Sequence, residues 1–143
     1  MLVSQILKHK GDLVFTASPR ETVAAAAALL HSRHVGALVI VDDQDKVIGI
    51  LSERDIVRVV AEKGAAGLAE AVSSCMSREV IFAEPTETVH SLLERMTDRR
   101  IRHLPVLKDG RLSGLVSIGD LVKSKIAETE AEAENLKAYI SAG

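Results

Sequence analysis

The sequence predicts a mixed α/β (α+β) fold: two β-α-β-β-α repeats packed about a pseudo-twofold axis, followed by a C-terminal helix. Three observations carry the prediction. The first is an internal duplication, a signature of paired structural units. Residues 19–55 open on Pro-Arg-Glu-Thr-Val and close on Gly49-Ile50-Leu51-Ser52-Glu53-Arg54-Asp55; residues 85–120 open on Pro-Thr-Glu-Thr-Val and close on Gly114-Leu115-Val116-Ser117-Ile118-Gly119-Asp120. The second is that each copy alternates a helical pattern with a short apolar run, of the kind expected for strands covered on both faces. The third is a turn between two such runs in each copy, acidic over 42–46 and carrying the Asp-Gly hairpin signal in Lys108-Asp109-Gly110-Arg111.

Taken in order, Val3 to Leu7 suits a short amphipathic turn or helix, broken by Lys8-His9-Lys10-Gly11 before a strand at Leu13-Val14-Phe15. Ser18-Pro19-Arg20-Glu21 reads as a helix start, with a Ser cap, Pro at the first helical position and Glu three after the cap. Val23, Ala27 and Leu30 follow at helical spacing and predict a narrow face for close packing; Val89, Leu93 and Met96 repeat it, with Glu84 a poorer cap. These two faces are expected to pack against a second copy of the chain. Ala37 to Val41 and Leu104-Pro105-Val106-Leu107 are the inner strands, each followed by its hairpin, a further strand and a helix. Gly64 and Gly67 are expected to end the last helix of the first copy, and the charged pattern after Asp120, through Ile126, Leu136, Tyr139 and Ile140, predicts a solvated helix. The expected organisation is a first repeat over 1–62, a connector over 63–73, a second repeat over 74–126 and a C-terminal helical tail over 127–143.

Composition narrows the function. A chain of 143 residues that is 47% hydrophobic can bury one real core. Its 18 basic and 20 acidic residues leave a formal charge of −2, so no general field draws it to nucleic acid, and with no Trp, one Tyr and two Phe it offers few platforms for stacking bases. The single Cys75 excludes an intramolecular disulfide and fits a reducing compartment. No opening run resembles a signal peptide and the apolar runs are too short to span a bilayer, so the expectation is a cytoplasmic protein with neither a nucleic-acid nor a membrane partner.

The chemistry lies in Ser52-Glu53-Arg54-Asp55 and Ser117-Ile118-Gly119-Asp120. One reading is a capping box, in which Ser closes the first helical turn and the acid three residues later reaches back to the cap. The other follows from position: both copies place the pattern three residues after a Gly that ends an apolar strand, at a helix N-terminus, where backbone N–H groups favour phosphate and a carboxylate can accept two hydrogen bonds from a ribose diol. His9, His31, His34 and His90 lack metal-ligand spacing, and Cys75 has no evident base or orienting acid nearby in sequence, so it is expected to be a buried or half-buried thiol.

The doubled strand-helix-strand-strand-helix arrangement, closing each time on Gly-x-x-Ser-x-x-Asp, resembles a tandem pair of cystathionine-β-synthase (CBS) domains, a Bateman module, over nearly the whole chain. It is most similar to the small stand-alone bacterial CBS-pair proteins. The resemblance implies binding of an adenosine nucleotide (AMP, ADP, ATP, NAD(H) or S-adenosylmethionine) in the clefts between the repeats, and a disc-like homodimer of modules. It implies ribose contacts from Asp55 and Asp120, and ribose or phosphate contacts from Ser52 and Ser117. Arg102 and His103, with Ile101 before them, match basic positions that meet phosphate; the first copy has Gly36 and Ala37 there, so the two clefts should be unequal. The cleft of Ser117 and Asp120 is therefore expected to take the charged phosphate, with Val35, Gly36 and Ala37 shaping an adenine pocket and Arg54 serving the other cleft. Backbone near Asp12 and from Ser77 to Val80 would read the adenine edge. The expected function is regulatory sensing of energy or redox state through an unknown protein partner, with no catalytic cofactor and no catalysis. A purely structural dimerisation module with empty clefts and a nucleotide-hydrolysing enzyme are the alternatives, the last needing a general base that remains once both acids hold ribose.

Overall fold

The computed structural model describes residues 1–11 and 13–142. Asp12, expected to lie at an adenine edge, falls outside them. The chain forms two compact units, Val14–Ile81 and a unit assembled from Met1–Leu13 with Phe82–Gly143. Residues 1–11 open the chain but belong to the same compact unit as the second copy of the duplication.

In the unit of Val14–Ile81, β1 (Thr16–Ala17) runs parallel to β2 (Ala37–Val41), which pairs antiparallel with β3 (Val47–Ser52). The predicted strand at Leu13-Val14-Phe15 is displaced: regular pairing starts at Thr16, and Phe15 contributes only its carbonyl, which accepts the Val39 N–H at 3.1 Å. The helix predicted from Ser18 starts later, at Val23, as α2 (Val23–Arg33). The reason is tertiary. Residues 19–23 pair with the connector through Val72 N–H to Glu21 O (2.8 Å), Ser73 N–H to Pro19 O (3.0 Å) and Val23 N–H to Glu70 O (2.9 Å). The cap passes to Thr22, whose side chain accepts the Ala25 N–H at 3.1 Å. α3 (Glu53–Lys63) follows β3 directly and ends at Gly64, with φ of 63°. Gly67 lies beyond it in a 3₁₀ turn, buried against Val59. Ala26, Leu30, Leu38, Ile40, Leu51, Val72 and Met76 form the core; a fully buried side chain of this size contributes about 1.5–3 kcal/mol.

The other unit begins with α1 (Val3–Lys10), one continuous helix that Lys8 and His9 extend rather than break. Its second helix, α4 (Val89–Arg99), is capped by Thr88, which accepts the Ser91 N–H at 3.1 Å. β4 (His103–Lys108) and β5 (Arg111–Ser117) form an antiparallel hairpin, with Asp109 at φ 53° and Gly110 at φ 77° in the turn. The leading strand of this copy is reduced to a single parallel bridge from Ala83 to Val106. α5 (Ile118–Ala142) is one unbroken helix of 25 residues. The mixed α/β class is as predicted, with two β-β-α units, small sheets and a long C-terminal helix.

The packing faces of α2 and α4 differ from the prediction. Val23, Ala26 and Leu30, and Val89, Leu92 and Met96, are the buried sets, so both faces serve their own unit's core and are not offered to a second copy. Among the described residues the exposed large apolar side chains are Met1, Leu2 and Leu13 near the chain start, Val57 and Val60 on α3, and Val122, Ile126, Leu136, Tyr139 and Ile140 on α5.

Candidate functional site

The two Ser-x-x-Asp patterns form equivalent corners, each inside its own unit. The register that pairs Ala37 with Ser52 in β2–β3 recurs as His103 with Ser117 in β4–β5. Each strand then turns into a helix whose first N–H bonds the residue before the inner strand: Glu53 N–H to Gly36 O at 3.0 Å, and Ile118 N–H to Arg102 O at 2.8 Å. The duplication thus brings Gly36 and Ala37 to the first corner and Arg102 and His103 to the second.

At the second corner the capping box is complete. The Ser117 N–H donates to Asp120 Oδ2 at 2.9 Å and the Asp120 N–H donates to Ser117 Oγ at 3.1 Å. Lys10, at the end of α1, reaches the same oxygen, its Nζ 2.5 Å from Asp120 Oδ2 and 2.8 Å from Leu115 O. The Asp120 side chain keeps 25% of its surface exposed and Lys10 37%. Burial acts to raise the Asp120 carboxyl, but the hydrogen bonds from Lys10 and the Ser117 backbone outweigh it and hold the group below the ordinary carboxylate value.

At the first corner the Ser52 N–H donates to Asp55 Oδ2 at 2.8 Å and the Ser52 hydroxyl to the same oxygen at 3.2 Å. The cation here comes from the same helix: Arg58 Nη2 lies 2.8 Å from Asp55 Oδ1 and 3.3 Å from Cys75 O. Asp55 is 13% exposed, so this corner is the drier one. Both corners therefore present a helix N-terminus, a hydroxyl and an oriented carboxylate.

The other expected residues sit as follows. Arg54 is exposed in the first turn of α3, while the arginine on Asp55 is Arg58. Ser77 bridges Ile50 on β3, its N–H donating to Ile50 O at 2.9 Å, and Val80 is half-buried further along the same segment. The Ile101 N–H closes the end of α4 on Met96 O at 3.1 Å. Val35 and Gly36 line a groove of about 530 Å³ with Ala27, His31, Glu53 and Val57. Another groove, of about 650 Å³ along 82–86 and 107–110, holds none of the residues expected to bind a nucleotide. Cys75 is half-buried, as expected, and burial, with Asp55 adding to it, pushes its thiol up. Among the described residues no cluster of His, Cys, Asp and Glu could hold a metal ion, and no helix is long and apolar enough to cross a membrane.

Sequence reasoning missed Lys10 and Arg58. Arg58 was within reach, since i,i+3 from an acid on a helix is an ion-pair spacing. Lys10 was not: it is 110 positions from its partner, and only the packing of α1 beside β5 brings them together.

Two segments of the chain, residues 11–62 and 72–126, match the CBS domain model, and the chain belongs to the CBS-domain family as a tandem pair. Its fold is similar to that of the CBS-domain containing protein ATU1752 from Agrobacterium tumefaciens, with 42% identity and a TM-score of 0.85 over 87% of this chain and 92% of that one. It is also similar to the CBS domain pair of protein MJ0100, solved in complex with 5′-methylthioadenosine and S-adenosyl-L-methionine (27% identity, TM-score 0.80, 90% of this chain and 98% of that one). The CBS domain protein PAE2072 from Pyrobaculum aerophilum, complexed with AMP, shares 28% identity at a TM-score of 0.75 over 84% of this chain and 89% of that one.

Proposed function

We propose that this CBS pair is a regulatory protein that binds an adenosine nucleotide (AMP, ADP, ATP or NAD(H)) at its Ser-x-x-Asp corners and transmits occupancy to a protein partner. The observation that carries the reading is the repeated corner itself: twice, a strand ends in Ser, turns into a helix, and leaves an oriented, partly exposed carboxylate at the helix N-terminus. That is a hydrogen-bond acceptor for a ribose diol next to backbone donors for a phosphate. The adenosine ligands of MJ0100 and PAE2072 support it. Arg102 and His103 beside Ser117, against Gly36 and Ala37 beside Ser52, favour the second corner for a phosphate.

A non-catalytic role fits the same geometry. Both acids are engaged by backbone N–H groups and cations, which suits holding a diol better than drawing a proton from water. The completed capping box at Ser117 and Asp120 favours a second reading, in which the motif only closes helices and the protein is a structural module. Thermal shift separates the two. A ligand that binds only the folded state at a hundredfold excess over Kd adds about 2.7 kcal/mol. AMP, ADP, ATP, NADH and S-adenosylmethionine are the panel. A raised melting temperature with at least one is the expected result, and no shift with any at millimolar concentration leaves the structural module.

A further inference from the structure

The second corner differs from the first in what its carboxylate already holds. Asp120 Oδ2 accepts the Ser117 N–H and also carries the Lys10 ammonium at 2.5 Å, whereas in the first corner Ser52 takes Oδ2 and Arg58 takes the other oxygen, Oδ1, of Asp55. Lys10 moreover comes from a different helix than its carboxylate, whereas Arg58 follows Asp55 on α3. Lys10 is the last residue of α1, ahead of Gly11 at φ 95°, and its Nζ is tied to Leu115 O at 2.8 Å, so release from Asp120 leaves the charge at the corner.

A ribose diol needs both carboxylate oxygens, and at this corner it meets the ammonium on one of them. A neutral ligand displaces the ammonium from its anion and returns nothing; a cationic ligand adds a second positive charge. A ligand carrying a phosphate returns an anion for the ammonium to pair with, a charge-assisted contact among the stronger polar interactions. We propose that Lys10 is a specificity residue that makes the Asp120 corner select an anionic adenosine ligand, a nucleoside phosphate, over the neutral 5′-methylthioadenosine or the cationic S-adenosylmethionine. This rests on the reading of Asp120 as a ribose acceptor.

The test is calorimetric titration of AMP and of 5′-methylthioadenosine into the full chain, with Asp55→Asn in every sample so that the heat reports the Asp120 corner. The ratio of the two dissociation constants is the readout, because loss of a merely structural contact weakens both ligands together. With Lys10 present AMP binds more tightly, and Lys10→Met lowers its advantage about tenfold, chiefly by tightening 5′-methylthioadenosine; Lys10→Arg keeps most of it. Should Lys10→Met not fold, the same ratio in the Lys10 protein shrinks between low and high salt, since a half-exposed charge is screened. AMP binding with a ratio that neither Lys10→Met nor salt moves overturns the selectivity and leaves nucleotide binding standing. Binding of neither ligand at millimolar concentration overturns both.

Discussion

Gly49 on β3 and Gly114 on β5 are equivalent in the duplication, and a different neighbour keeps each small. A Cβ on Gly49 would lie 2.6 Å from Met76 Sδ and 3.0 Å from the Ser77 carbonyl oxygen, and that carbonyl is fixed by its bond to the Ile50 N–H. A Cβ on Gly114 would lie 2.6 and 2.9 Å from the two methyl ends of Leu7, which can rotate. Gly49→Ala should therefore cost about 1–3 kcal/mol as overpacking against backbone, and Gly114→Ala about 0.5–1.5 kcal/mol as one displaced rotamer. Urea unfolding of both variants gives the order, and a larger loss in Gly114→Ala contradicts it. The same scale separates capping from binding at the corners. Asp120→Asn keeps a carbonyl oxygen for the Ser117 N–H but loses the charge that pairs with Lys10. Asp120→Ala also loses the acceptor of the Ser117 N–H and should cost roughly 0.5–2 kcal/mol more helix stability than Asn, read from the melting of the two.

At the scale of elements, the inner strands and both hairpins were legible because each was an apolar run bounded by a turn with its own chemistry, as Asp109 and Gly110 show with their positive φ. The start of α2 was not. Ser18-Pro19-Arg20-Glu21 has the local chemistry of a helix start, yet its backbone pairs with residues 70–73, and a distant segment cannot be weighed from a local pattern. The Thr that does cap, Thr22 and again Thr88, stood in both copies of Glu-Thr-Val. Placement of α1 was illegible for the same reason, and with it the Lys10 contact. The Ser-x-x-Asp corners were legible because repetition marked them, although their cations were not. α5 shows the limit of an element read alone: its buried residues are Leu121 and Ser124, near its start, while the residues after Glu128 have the charged pattern of a solvated helix. Ending the chain after residue 128 should leave the melting temperature within about 2 °C, as surface changes stay within roughly 0.5 kcal/mol. A larger drop means that Leu136, Tyr139 and Ile140 are covered in solution.

For the whole molecule, acid should act through the unit that contains Asp120 and Glu87. The Arg95 hydrogen bond holds the Glu87 carboxyl below its ordinary value, as the Lys10 and Ser117 contacts do for Asp120. Groups lowered on folding stabilise fully above their unfolded values near pH 4, and that stability is lost as pH falls through the folded values. Urea midpoints should thus be flat from pH 7 to about 5 and fall below about pH 4, and Lys10→Met should make the fall shallower; an unchanged acid limb contradicts the ion pair. Exposed Val57 and Val60 on α3 and Val122 and Ile126 on α5 predict self-association, with light scattering giving twice the 15.3 kDa chain mass and a monomer at micromolar concentration contradicting it. The central claim is that the Asp120 carboxylate holds the ribose of a nucleotide, and calorimetric titration of AMP into the wild-type protein and Asp120→Asn tests it most directly. Loss of a charge-assisted acceptor should weaken binding at that corner by about ten- to a hundredfold with the fold intact, whereas equal affinity in the two proteins would return the motif to helix capping.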